Sequence, residues 1–227
     1  MHIFTVNLFI AQADTTESWW STIEKGGTVG YIILGLSLIA CSLAIMHFVQ
    51  IRRSALLPEE QLAILETKLA NGRTQEALEY CVDPSNDTYL TRILATGLLR
   101  YQRSAFGPFE LKSSLEEAGE EQTSRLFRST DAIGLIGTIA PLLGLLGTVL
   151  GMVGAFKTLG TEGANTNAAL AGNISEALVT TMLGLVLAIP CVALFSFFRN
   201  RIEGLSSEAS SEIERLVLHL EEAQGTK

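Results

Sequence analysis

Glu176 is the only formally charged residue inside any of the three long apolar runs of this chain. An acid in hydrocarbon is expensive, so its presence there is a functional hypothesis in itself. It is also a group that can take up and release a proton. Thr180 follows Glu176 by four residues and shares its face on a helix, with Thr181 beside that stripe. The preceding apolar run carries Thr138, Thr148 and the glycines Gly144, Gly147, Gly151 and Gly154. Gly147 and Gly151 form a small-xxx-small pair, which lets two helices approach closely. A carboxyl and hydroxyls on neighbouring apolar runs could form a polar strip in a hairpin that the glycines allow to pack closely. Each part also has a plainer reading. Glu176 can anchor the outer interface, since only Ile174 and Ser175 precede it in its run. A lone membrane threonine usually bonds a carbonyl of its own helix. A glycine stripe packs helices with or without an ion path.

These residues require membrane-spanning elements to hold them. Three runs are long enough to cross a bilayer, which takes about 20 apolar residues. They are residues 29–49, 133–156 and 174–198. Backbone in hydrocarbon must satisfy its own hydrogen bonds, so all three are expected as helices. The expected fold is an all-α integral membrane protein with three transmembrane helices and long helices extending into the cytoplasm. Lys and Arg near the span ends set the orientation. Arg52, Arg53, Arg125, Arg128, Arg199 and Arg201 flank one side, against Lys25 and Lys157 on the other. The N-terminus is therefore expected outside and the C-terminus inside.

Residues 1–28 form an outer segment, and 157–173, rich in Gly, Asn and Thr, a short outer loop. The second and third spans make a hairpin turning near Gly163–Ala164, which places Thr148 and Thr181 at similar depth with Glu176 above them. The apolar run Ile3–Ala11 and the small residues Ala11-Gln12-Ala13 look signal-like, but no Lys or Arg precedes them. Trp19 and Trp20 suit a membrane interface.

The polar segment 50–132 reads as helices separated by breakers. Pro58-Glu59-Glu60 opens one and Asn71-Gly72 ends it. Thr74-Gln75-Glu76 opens a second, which stops at Asp83-Pro84. Leu90, Ile93, Leu94, Leu98 and Leu99 keep a helical period. A last helix from Pro108 is expected to run into the second span, with Glu116, Glu117, Glu120 and Glu121 on a solvated face. After the third span, residues 199–227 continue as a helix to about Glu222 on Ile202, Leu205, Ile213, Leu216, Val217 and Leu220.

Composition agrees with the membrane reading and excludes other classes. The chain of 227 residues is 48% hydrophobic but only 7% aromatic, with 20 glycines, a balance that suits close helix packing in lipid. A net charge of −8 without a basic stripe argues against nucleic acid. Cys41, Cys81 and Cys191 form no CxxC motif and read as buried or inert thiols. His2, His47 and His219 are far apart, so neither a metal site nor any other cofactor is expected. No nucleophile–base pair or phosphate loop supports an enzyme.

The block APLLGLLGTVLGMVGAF, followed after a short polar loop by ISEALVTTMLGLVLAIP, resembles the paired signature of the ExbB/TolQ branch of the MotA/TolQ/ExbB proton-channel family. The resemblance is strong over about residues 130–200 and extends weakly over 20–225. It implies that Thr148 and Thr181 are pore threonines, that Glu176 is the acid of an I-x-E-A-L motif, and that Pro141 and Pro190 are membrane prolines. It further implies a pentameric homo-oligomer in the bacterial inner membrane, around a dimer of a one-span ExbD/TolR-like subunit that brings a pore aspartate. Such a complex turns proton motive force into work on a TonB-like or Tol-like envelope protein. The chain alone offers one carboxyl group in its spans, which fits a second carboxylate from a partner. A structural or permease-scaffold subunit with no ion path is the rival reading. It explains the glycines equally well and the Glu/Thr residues less well.

Overall fold

In the computed structural model, residues 26–103, 107–162 and 167–225 are described. The signal-like run, Trp19, Trp20 and the turn at Gly163–Ala164 lie outside them. Every regular element among the described residues is a helix: α1 (Gly27–Gln50), α2 (Arg53–Leu56), α3 (Glu59–Ala70), α4 (Thr74–Val82), a 3-10 turn (Pro84–Asn86), α5 (Tyr89–Arg103), α6 (Gly107–Glu162) and α7 (Asn167–Gly225). Three of them, in α1, α6 and α7, are long and apolar enough to cross a membrane. The described residues form two compact units, one of 26–39 with Ile136–Pro190, the other of Ala40–Leu135 with 191–225.

The breakers act as their chemistry dictates. Pro58 caps α3 with an extended φ/ψ. Past its other end Gly72 takes a φ of +68°, the left-handed region open to glycine. There the Gly72 N–H donates to the Leu69 carbonyl at 2.9 Å and the Arg73 N–H to that of Lys68 at 3.0 Å, a Schellman closure. Asp83 Oδ1 accepts from the Ser85 N–H at 2.9 Å and opens the 3-10 turn.

The unit containing α2–α5 is built on buried leucines and isoleucines, among them Leu57, Leu65, Leu69, Leu90, Ile93, Leu94 and Leu98. The final part of α7 contributes Ile202, Leu205, Ile213, Leu216 and Leu220, spaced three or four apart or by sums of these. Leu99, which the apolar period includes, is exposed instead. Three hydroxyls tie α5, α6 and α7: Tyr89 Oη lies 2.9 Å from Thr123 Oγ1, which lies 2.8 Å from Ser206 Oγ. Arg53 Nε donates to Glu208 at 2.7 Å and Nη1 to Glu59 at 2.5 Å. These carboxylates, Glu208 first, hold the guanidinium above its ordinary value. Glu116, Glu117, Glu120 and Glu121 are all exposed, Glu117 pairing with Arg100 and Glu121 with Arg125. Burial pushes the Cys81 thiol up to about 12, an inert thiol as read from sequence. Cys41 is exposed on α1.

α6 is one uninterrupted helix of 56 residues and α7 one of 59, with Pro141 and Pro190 inside them. The expected outer loop at 157–173 is therefore corrected: 157–162 close α6 and 167–173 open α7. Pairing across the hairpin supports this extra helix. Asn173 Nδ2 donates to Thr158 Oγ1 at 3.4 Å, and a Cβ on Gly154 would lie 3.4 Å from Asn173 Oδ1.

Candidate functional site

Within the unit formed by Ile136–Pro190 and residues 26–39, α6 and α7 meet along a seam of small residues. A Cβ on Gly144 would lie 2.9 Å from Thr181 Cα, and one on Gly147 would fall on the Thr180 hydroxyl. On Gly151 it would lie 2.7 Å from Ala177 Cβ and 2.8 Å from the Asn173 carbonyl oxygen. On Gly184 it would lie 2.5 Å from the Ala140 carbonyl oxygen. The helices are thus antiparallel and nearly in backbone contact, as glycines permit. Gly154 is the loosest of the glycines singled out by sequence, in ordinary van der Waals contact with Asn173. Pro141 is half-buried and Pro190 exposed.

The hydroxyls divide between the two helices. Thr181 Oγ1 donates across the seam to the Gly144 carbonyl at 3.1 Å. Thr180, buried against Gly147, donates to the Ala177 carbonyl at 2.8 Å. Thr148 donates to the Leu145 carbonyl of its own helix at 2.6 Å. Because Thr181 faces Gly144, it lies four residues of α6, roughly 6 Å, from the level of Thr148. The hairpin count predicts similar depth; the contact at Gly144 offsets the two threonines by four residues along α6.

Glu176 is half-buried and stands apart from Thr148 and Thr181. With Ala177 on the seam, Thr181 lies about 40° round α7 in one direction and Glu176 about 100° in the other. In an antiparallel pair, residues that follow the seam positions on either helix share a flank. Thr148 follows Gly147 as Thr181 follows Ala177, so the two threonines share one flank and Glu176 occupies the other. There the start of α1 lies against it: a Cβ on Gly27 would fall on Glu176 Oε1. The Glu/Thr strip is continuous only by crossing the seam at Thr180 and Thr181. Glu176 is nine residues into α7, roughly 13 Å from its first residue, yet level with the first residue of α1.

Gly184, Asn173, Ala140 and Gly27 escaped the sequence reading. Gly184 was findable, because Ala177, Thr180, Gly184, Ala188 and Cys191 make a stripe of small buried residues three or four apart. No motif marks Gly27. A groove of about 700 Å³ among Leu115, Thr123, Phe127, Ser206 and Ile213 is lined by none of the residues of this strip. Among the described residues no group of His, Cys, Asp and Glu could hold a metal.

Comparison with known proteins agrees with the membrane hairpin. Residues 85–211 match the family model described as the MotA/TolQ/ExbB proton channel family. An ExbB-like biopolymer transport protein of Synechocystis sp. is 32% identical over 199 residues, 83% of this chain and 90% of that one. The Tol-Pal system protein TolQ of Pseudomonas aeruginosa is 27% identical over 199 residues, 83% of this chain and 86% of its own. The biopolymer transport protein ExbB of Xanthomonas campestris is 39% identical over 85 residues, 37% of this chain and 34% of its own. A match over more than half of the chain, spanning the α6–α7 seam with its threonines and acid, makes the assignment: this protein belongs to the MotA/TolQ/ExbB proton channel family.

Proposed function

We propose that this chain is the ring-forming subunit of an inner-membrane proton-driven motor, with Thr148, Thr180, Thr181 and Glu176 along the proton path. The observation that carries the reading is the uncovered flank holding Thr148 and Thr181. Leu145 and Met152, about one turn either side of Thr148, and Leu178 and Leu185, about one turn either side of Thr181, are exposed in the single chain. Apolar surface of this extent calls for lipid or protein cover. Hydroxyls on such a flank favour a shared aqueous centre over lipid. Copies of the chain, five by family resemblance, would close this flank into a ring with α1 outermost. A one-span ExbD/TolR-like subunit would stand at the centre and bring the second carboxylate. The names of the relatives point to biopolymer transport or the Tol-Pal system, and the work would be done on a TonB-like or Tol-like envelope protein. Each charge moved through the membrane potential supplies about 2.3 kcal/mol per 100 mV.

The test is the double variant Thr148→Val, Thr181→Val, which removes both hydroxyls with little change of shape. In vesicles holding the chain with its one-span partner, it should assemble and lose most proton flux. Undiminished flux would remove the pore assignment and leave the scaffold reading. Orientation is tested separately. The arginines flanking the spans favour an outer N-terminus and inner C-terminus. A reporter after Lys227 should be active only in the cytoplasm and one near Gly163 only outside; reversed signals sink this topology.

A further inference from the structure

Gly27 meets Glu176 under two independent constraints. Its φ is +53°, a left-handed conformation that side chains with a Cβ rarely adopt. A Cβ there would also fall on Glu176 Oε1 and come within 3.1 Å of its carboxyl carbon. Gly35, in the same helix, has open space where its Cβ would stand, so α1 has no general need of glycine. The first turn is held in place independently of this contact. The Gly30 N–H donates to the Gly26 carbonyl at 2.9 Å, and Val29 and Ile33 are buried. The backbone at Gly27 is therefore a fixed cover set against the only acid in the three spans.

We propose that Gly27 is the positioning residue for Glu176: the first turn of α1 lies over this carboxyl and sets its exposure. The first span then takes part in handling the acid, from the flank opposite the threonines. The mechanistic weight of this inference rests on the proposed role of Glu176 in proton movement; the geometry does not.

The test uses the full chain with its partner in vesicles. A water-soluble carbodiimide and an amine nucleophile are added, and amide formation at Glu176 is followed by mass spectrometry. Gly27→Ala should raise the rate at Glu176 about tenfold, equivalent to about 1.4 kcal/mol in the covering equilibrium. Gly35→Ala should leave it unchanged. Gly27→Asn serves if the alanine variant fails to insert, because asparagine tolerates the left-handed region while still adding the Cβ; it too should raise labelling. Adding Glu176→Asp, one methylene shorter, should return the Gly27→Ala chain to the rate of Glu176→Asp alone. Equal labelling of Gly27→Ala and wild type overturns the proposal. So does an equal rise in Gly35→Ala, which would mark general loosening of α1. If labelling responds to Gly27 while Glu176→Gln keeps full flux, the positioning stands and the role of Glu176 in proton movement falls.

Discussion

Replacing Glu176 by glutamine is expected to abolish most proton flux while leaving the assembly intact. The amide keeps the size of the side chain and its capacity to accept a hydrogen bond, but it cannot titrate. The three spans contain no other acid, and hydroxyls do not change protonation under these conditions. Positioned proton-transfer groups contribute about 10²–10⁴-fold in rate, so a loss of at least about a hundredfold is expected. The competing role, an anchor at the outer interface, predicts near-normal flux, because an amide is tolerated there as well. Two observations weigh between these roles. Glu176 is level with the first residue of α1, which favours an interfacial depth. Yet α7 begins nine residues earlier, and the carboxyl is half-buried against backbone instead of pointing freely outward. A dye-monitored pH jump across vesicles decides the question: wild-type flux in Glu176→Gln, with its partner bound, removes Glu176 from the mechanism.

The second large effect is expected at Gly184. Its Cβ would meet the Ala140 carbonyl oxygen at 2.5 Å, and backbone cannot rotate aside as a side chain can. Glycine to alanine in a helix gains up to about 1 kcal/mol of propensity. Overpacking costs typically about 1–3 kcal/mol, so Gly184→Ala should be net destabilising. Gly184→Leu should separate α6 from α7 altogether and, with them, the Thr181 hydrogen bond to Gly144. Gly154→Ala meets only ordinary contact and should be neutral or stabilising. Denaturant titration of the purified complex, followed by circular dichroism, ranks the variants. Equal stability of Gly184→Leu and wild type would mean that the seam does not hold the hairpin.

Much of this was legible in the chain because it follows from local rules. Long apolar runs specify the spans, and Pro58, Gly72 and Pro84 punctuate the helices between the first two. The long apolar and amphipathic stretches around Pro108 and Ile202 announce the continuity of α6 and α7. The loop at 157–173 was misread for a physical reason. Its Gly, Asn and Thr are weak helix formers in isolation, but pairing of Asn173 with Thr158 and Gly154 across the hairpin overrides propensity. The flank of Glu176 was illegible for another reason. Periodicity relates it to Thr180, but which neighbour it meets depends on the seam, and the seam is fixed by Ala177 and Gly184 together with their partners on α6. Gly27 needed a backbone dihedral to be noticed.

The hydrogen bonds of the three threonines carry one further consequence. Thr148, Thr180 and Thr181 each commit their single proton to a carbonyl, at Leu145, Ala177 and Gly144. Thr180 is buried; at Thr148 and Thr181, which are not, lone pairs remain, so with their protons committed these two groups receive from a visitor. A carboxylic acid arriving with its proton has something to give them; the ionised form has nothing and meets oxygen with oxygen. On the proposed path, Thr148 and Thr181 would therefore distinguish a loaded carrier from an empty one by hydrogen bonding alone, and the double valine variant would lose that discrimination.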